Sequence, residues 1–296
     1  MAHSDRLNKA VEADLAQSVS GEFEFSDADF ARVRDLIYQC AGISLSPAKR
    51  QMVYSRLSRR LRALGLINFS SYLALLEGHD SGEHQAFTNA LTTNLTAFFR
   101  ESHHFPILAE HARRSGRRQV DIWCAACSTG EEAYSIAITM IETFGTMTPP
   151  VRILASDVDT NVLERARFGV YPLEQMEKMP AEHLRKYFLR GTGAREGMVK
   201  VRPELRELIS FRQINLLEPQ WDVRGPLDAI FCRNVMIYFD KRTQYSILKR
   251  FAPALGSDGL LFAGHSESLQ HASDLFCLRG QTVYQVAAPK RANDHA

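Results

Sequence analysis

The chain has 296 residues, 45% of them apolar, enough for two domains or one large one around an ample core. Lys and Arg number 36 against 34 Asp and Glu, a formal charge of +2, which excludes a global affinity for nucleic acid but not a local basic patch. No signal-type apolar core opens the chain, no apolar run approaches ~18 residues, and the five cysteines sit mostly inside apolar runs. A soluble cytoplasmic chain with reduced thiols is expected, without a disulfide framework or direct membrane insertion.

Residues 1–20 are polar and Ala-rich and read as a flexible N-terminal tail. A helix is expected from Ser26, its cap, with Asp27 and Asp29 in the first turn, Phe30, Val33 and Ile37 on one face, and Gly42 at its end. Ser46 and Pro47 open a second helix whose stripe is Val53, Leu57, Leu61 and Leu64, followed by Gly65. Its other face carries Lys49, Arg50, Arg56, Arg59, Arg60 and Arg62, and no acidic residue occurs between Asp35 and Glu77. Two readings stand: a solvated face of snorkelling side chains, or a docking surface for an acidic macromolecule. Short helices around Phe69–Leu76 and Glu83–Leu91 complete a helical domain over residues 21–91.

The next segment, 92–118, is a linker and a linking helix from about His103 to Arg114. Its start, Thr92 to Arg100, is polar, then aromatic, then basic. Either Asn94, Thr96 and Arg100 face a polar ligand, or the stretch is a capping linker with Phe98 and Phe99 plugging an interdomain seam.

Residues 119–288 resume with an apolar run, Val120 to Cys124, a small-residue turn, Ala125 to Gly130, a helix with Tyr134, Ile138 and Ile141 on one face, and a second apolar run, Val151 to Ala155, ending in Ser156-Asp157. Strand, tight turn, helix, strand, acid is the layout of a nucleotide-type cofactor site in an open α/β sheet. Cys124 and Cys127 have redox or zinc spacing, but no second ligand pair lies nearby, so they read as small packing residues and no metal is expected. A helix, Asp159–Arg167, closes at Gly169. Residues 170–212 interrupt the alternation; the runs Met198–Arg202 and Leu208–Gln213 read as a small antiparallel insert. Arg190-Gly-Thr-Gly lacks the strand and helix context of a phosphate loop. A strand at Leu227–Cys232, a helix at Arg242–Leu255, a strand at Gly259–Gly264 and a closing hairpin, Phe276–Arg279 with Thr282–Val286, follow. Residues 289–296 read as a C-terminal tail.

The first turn has a single glycine, Gly130, and is followed by Glu131 and Glu132 at a helix N-terminus, a placement hostile to pyrophosphate. A phosphate-free cofactor with a positive centre suits it. S-adenosylmethionine has a sulfonium, an ammonium and a ribose for Asp157.

Five stretches in this order resemble the CheR-type chemoreceptor glutamate methyltransferases: Thr92-Thr93-Asn94-Leu95-Thr96-Ala97-Phe98-Phe99-Arg100, Ser128-Thr129-Gly130-Glu131-Glu132, Ala155-Ser156-Asp157-Val158-Asp159-Thr160, Ile214-Asn215-Leu216-Leu217 and Cys232-Arg233-Asn234-Val235-Met236-Ile237-Tyr238-Phe239. Gly264-His265-Ser266-Glu267-Ser268 matches as well; Ala133, where many members carry Pro, departs. The resemblance covers about residues 22–287. It implies an α/β fold, a class I S-adenosylmethionine-dependent methyltransferase sheet with a small N-terminal all-α domain and an antiparallel β-subdomain insert. It further implies transfer of a methyl group to glutamates of methyl-accepting chemoreceptors, by a protein recruited to membrane receptor arrays.

The same resemblance supplies the site residues that follow, with Arg100 and Tyr238 assigned to the reacting centre, the alternative for Tyr238 being a core tyrosine with a wet hydroxyl. Asn94, Thr96, Arg100, Glu131, Asp157, Asn215, Leu216, Arg233 and Asn234 line the cofactor pocket, with Asp157 at the ribose, Glu131 at the ammonium, and Asn215 and Leu216 at the adenine. Arg56, Arg59, Arg60 and Arg62 would meet glutamate-rich methylation helices. Arg190, Lys200 and Arg202 would meet a receptor-tail carboxylate, or else belong to an ordinary charged edge strand. A nucleic-acid methyltransferase is the rival from another class, but Arg233 to Tyr238 lacks the prolines of the adenine-methylating element. A non-catalytic cofactor-binding scaffold is the second rival.

Overall fold

The computed structural model describes residues 22–78, 81–116, 118–177 and 179–288. The tails expected at 1–20 and 289–296 lie outside the described residues. The chain divides into two compact units: residues up to Cys40 with Leu45–Leu91, and Ala41–Ser44 with Thr92 onward.

The first unit is helical. α1 (Asp27–Ala41) starts at a reciprocal cap: Ser26 Oγ accepts the Asp29 N–H at 3.1 Å, and the Asp29 carboxylate accepts the Ser26 N–H at 3.0 Å. α2 (Arg50–Leu64) ends at left-handed Gly65. Ser46 does not cap it with its side chain, because a 3-10 turn, Pro47–Lys49, intervenes. Val53, Leu57 and Leu61 are buried, whereas Leu64, expected in the stripe, is 39% exposed; the last turn projects past the core. α3 (Phe69–Glu77) is capped by Asn68, and α4 (Ser81–Leu91) packs on α2.

In the second unit, α5 (His104–Ser115) precedes a seven-stranded sheet. Its strands are β1 (Val120–Cys124), β2 (Val151–Asp157), β6 (Ile209–Gln213), β7 (Leu227–Cys232), β8 (Leu255–Ala263), β9 (Phe276–Gly280) and β10 (Val283–Val286). The order is β6-β2-β1-β7-β8-β10-β9, with only β10 reversed. Successive side chains enter opposite layers. Ile122 and Cys124 join α5 and α6 (Glu131–Phe144) on one face. Trp123, Ile230 and Cys232 meet Ile247, Leu248 and Phe251 of α10 (Lys241–Ala254) on the other.

Between β2 and β6 lie α7 (Thr160–Phe168), α8 (Ala181–Tyr187), α9 (Pro203–Glu207) and a separate three-stranded sheet. That sheet is antiparallel, ordered β3 (Val170–Pro172), β5 (Met198–Val201), β4 (Phe188–Arg190). Leu208–Gln213, expected in this insert, is instead β6, parallel to β2 at the edge of the large sheet. An edge strand loses burial on one side, so β6 alternates like a half-exposed antiparallel strand rather than showing the continuous apolar run of β7. The insert sheet packs Tyr171, Tyr187, Phe188, Val199 and Val201 into the core. Phe98 meets Tyr171 and Phe188 edge-on, and Phe99 meets Phe105, so both rings fill this unit's own core.

Candidate cofactor and active site

The strand order reverses at β1: the chain moves outward through β2 and β6, then returns to β7 on β1's other side. Such a switch point opens a crevice beyond the strands' C-terminal ends. The turn Ala125–Gly130 sits there, bridging both neighbours: the Ala125 N–H donates to Phe231 O at 2.7 Å, and the Cys127 N–H to Ser156 O at 2.9 Å. Cys124 and Cys127 are fully buried, which pushes both thiols well above the ordinary range; they pack rather than react. Gly130 adopts φ +99°, and a Cβ there would stand 2.9 Å from Ala166 Cβ, so only glycine lets α6 begin this close to α7.

Two acids flank this turn. Glu131 opens α6 almost fully buried, its Oε2 accepting from Thr129 Oγ1 at 2.7 Å, and burial raises its pKa. Asp157 ends β2, its oxygens accepting the N–H groups of Ser128 at 2.8 Å and Asp159 at 3.0 Å. Burial outweighs those bonds and pushes its carboxyl up to about 6. Neither carboxylate has an ion-pair partner among the described residues, so an ammonium and ribose hydroxyls fit them, whereas a pyrophosphate would be repelled.

The segment 92–103, which forms no regular element, is tied down at this end of the sheet. Asp159, the cap of α7, accepts from Thr92 Oγ1 at 2.7 Å and Asn94 Nδ2 at 2.8 Å. Ser128 Oγ donates to Asn94 O at 3.1 Å. The amide nitrogen of Asn94 is therefore engaged in fixing the segment. Phe99 and Glu101 both take φ +52°, bracketing Arg100, whose Nη1 donates to Leu95 O at 2.9 Å. Thr96 is half-buried beside them in sequence.

Arg233 follows β7 with its side chain fully buried. It pairs with Glu132 at 2.9 Å and Glu101 at 3.4 Å, and donates to Arg100 O. Its guanidinium thus holds the Arg100 backbone in place instead of facing an open pocket. Burial raises the Glu101 carboxyl, but His265, Asn234 and Arg233 together outweigh it and hold the group down to about 2. Asn234, at φ +59°, donates its Nδ2 to Glu101 Oε1 at 3.1 Å. Tyr238 ends a short 3-10 turn, Met236–Tyr238, half-buried. Asn215 and Leu216 follow the end of β6: Ile214 N–H donates to Asp157 O at 3.1 Å, and Asn215 Oδ1 accepts the Leu217 N–H at 3.0 Å.

The residues expected at the cofactor therefore converge at one end of one sheet. Sequence reading gave no role to Glu101, His265 or Glu267, and read Glu132 only as part of the acidic, pyrophosphate-hostile helix start. Glu132, His265 and Glu267 stood inside quoted motifs, but Glu132 pairs with Arg233, His265 with Glu101 and Glu267 with Asn234, all far off along the chain. Glu101, His103 and His104 bring ligand-type atoms within 4.8 Å of one another. The carboxylate oxygens of Glu101 are already committed to Arg233, Asn234 and His265, a pattern of structural hydrogen bonding.

The four docking arginines differ among themselves. Arg60 is bidentate on buried Glu83, with bonds of 3.1 and 2.6 Å, and Tyr72 donates to the same carboxylate. It is a pillar of the helical unit and not a free docking charge. Arg56 donates to Ala90 O at 3.4 Å; Arg59 and Arg62 are exposed, Arg62 pairing with exposed Glu22. In the insert, Arg190 ends the edge strand β4 opposite Val199, Lys200 lies on the central strand opposite Leu189, and Arg202 follows β5 at the strand's far end.

Comparison with known proteins gives a consistent result. Residues 28–92 match the CheR methyltransferase all-alpha domain, and residues 94–285 match the CheR methyltransferase SAM binding domain. The chain is 57% identical over 275 residues to a "Chemotaxis protein methyltransferase" of Escherichia coli (strain K12), covering 92% of this chain and 96% of that one. It is 58% identical over 266 residues to the protein of that name from Salmonella typhimurium, covering 90% and 92%. It is 58% identical over 268 residues to "Chemotaxis protein methyltransferase 2" of Pseudomonas aeruginosa, covering 90% and 95%.

Proposed function

Because the chain belongs to the CheR methyltransferase family, whose cofactor is S-adenosylmethionine, we propose that it methylates side-chain carboxylates of glutamates on bacterial chemoreceptors. The product is a glutamate methyl ester, the covalent mark of chemosensory adaptation. The observation that carries this reading is the pair of buried acids, Glu131 and Asp157, on either side of a phosphate-hostile turn, with Arg100 tied to the same strand ends through Arg233.

When bound, S-adenosylmethionine supplies a methyl group made electrophilic by its sulfonium. Glu131 meets the cofactor's ammonium, Asp157 accepts from its ribose hydroxyls, and Asn215 with Leu216 borders its adenine. The acceptor glutamate ionises near pH ~4.3 and needs no general base at neutral pH. The protein's task is to hold a carboxylate oxygen in line with the methyl, which is positioning rather than proton transfer. Arg100 orients the incoming carboxylate, and the Tyr238 hydroxyl bonds beside the methyl. Arg59 and Arg62 attract glutamate-rich receptor helices. The edge of β4 offers a place for a receptor-tail peptide to add a strand, with Arg190 at its end; such contacts would recruit the protein to receptor arrays.

The test is transfer of labelled methyl from S-adenosylmethionine to purified receptor, set beside DNA and RNA. Label on receptor that is released by base is expected. Label on nucleic acid, or base-stable label on protein, overturns the reading.

A further inference from the structure

Glu267 lies just beyond β8, and only 4% of it is exposed. Its Oε2 accepts the Gly264 N–H at 2.6 Å and the Asn234 N–H at 2.8 Å, and its Oε1 accepts the Ile237 N–H at 3.3 Å. These donors belong to two separate segments, the end of β8 and the turn that follows β7. Residue 264 is stripped to make the reach possible: a Cβ there would stand 2.8 Å from Glu267 Oε2 and 2.5 Å from Asn234 Nδ2. Asn234 is thus held from two sides, its backbone N–H by Glu267 and its side-chain nitrogen by Glu101. Held so, its amide offers an oxygen to a ligand.

We propose that Glu267 is a positioning residue for methyl transfer: its carboxylate sets the turn 233–238, so that Asn234 meets the cofactor and Tyr238 the reacting centre. This rests on the cofactor-site reading above. A carboxylate suits the task because it accepts several N–H groups and carries no donor of its own. A glutamine of the same shape must turn an NH2 toward one of those backbone N–H groups and leave it unbonded. Tyr238 is three residues beyond Val235, whose carbonyl accepts the Tyr238 N–H at 3.1 Å, so a shift of the clamped turn carries the tyrosine with it.

The experiment uses the full chain with Glu267→Gln, Glu267→Asp and, as a stability control in the buried core beneath α10, Ile247→Val. Affinity for S-adenosylhomocysteine is read by calorimetry, kcat and KM by methyl transfer to receptor, and Tm by melting. Glu267→Gln should bind S-adenosylhomocysteine at least tenfold more weakly and lose at least tenfold in kcat, with the receptor KM within twofold. Glu267→Asp, a carboxylate one methylene shorter, should recover part of both, and gives the same reading if the glutamine variant fails to fold. Ile247→Val should keep binding and kcat within twofold. Binding and kcat within twofold in Glu267→Gln, or losses that follow Tm equally in the control, overturn the proposal. An unaltered chain that binds no S-adenosylhomocysteine overturns the cofactor reading itself, and is told apart by that fact.

Discussion

At the scale of single residues, Asp157 shows how a ligand site is written into burial. In the unfolded chain an aspartate ionises near pH ~3.9; in the fold Asp157 does so at about 6, because burial outweighs the two N–H groups that favour its anion. Between those values the folded chain keeps a proton that the unfolded chain has released. Asp157 therefore makes stability fall as pH rises from about 4 to about 6, by up to ~3 kcal/mol, and the deficit persists above that window. Asp157→Asn in the cofactor-free chain should remove this component. Urea unfolding of the variant and the parent across pH 4–7 checks it: their difference should grow with pH and then level off. Cofactor affinity should weaken below pH ~6, where the carboxyl loses its charge and part of its capacity to accept from ribose hydroxyls. Unchanged affinity in Asp157→Asn at pH 7.5 would remove the residue from the ribose.

At the scale of elements, what was legible depended on whether a signal was local. The Ser26 cap, the turn at Gly130 and the strand-to-acid run through Asp157 were all readable, because propensity, periodicity and special dihedrals act within a few residues. β6 was placed in the wrong sheet, because its edge position gives it the pattern of an antiparallel strand. β3 and β4, three residues each, are too short for any periodicity to announce them. The clamp of Glu267 and the ion pairs of Arg233 were illegible for another reason: their partners are far apart in sequence, and only the folded sheet brings them together. The first turn offers an element-level prediction. Gly130→Ala places a side chain at φ +99° and 2.9 Å from Ala166, so it should destabilise the chain by ~1–3 kcal/mol. Because the N-terminus of α6 must then move, it should also weaken S-adenosylhomocysteine binding, and calorimetry with melting checks both.

At the scale of the whole molecule, the proposed roles fall to different units: attraction by charge to the helical unit, chemistry to the unit with the sheet. The helical unit carries the basic face, and among the described residues no helix is long and apolar enough to cross a membrane. Attraction between this face and an acidic receptor surface should fade with salt, since the Debye length falls from ~10 Å at 0.1 M to ~3 Å at 1 M. Reversing Arg59 and Arg62 to Glu should lower receptor methylation severalfold at low salt and little at high salt, with Tm nearly unchanged. Arg60→Ala should behave oppositely. It strands the buried Glu83 carboxylate and should lower Tm at every salt concentration. Equal salt profiles for the parent and the double reversal would exclude the steering role.

The tie between Arg233 and Arg100 spans 133 residues of chain. During synthesis, at ~5–20 residues per second, Arg100 leaves the ribosome about 7–27 seconds before Arg233, and earlier still than Glu267. Arg100 must therefore wait for that tie, although Asp159 and Ser128 already hold the start of its segment. A chain that is cut before residue 267 carries Glu131 and Asp157 but not the carboxylate that holds the turn after β7. Chains cut short of residue 267 should therefore bind S-adenosylhomocysteine more weakly than the full chain, and calorimetry on such a chain checks it.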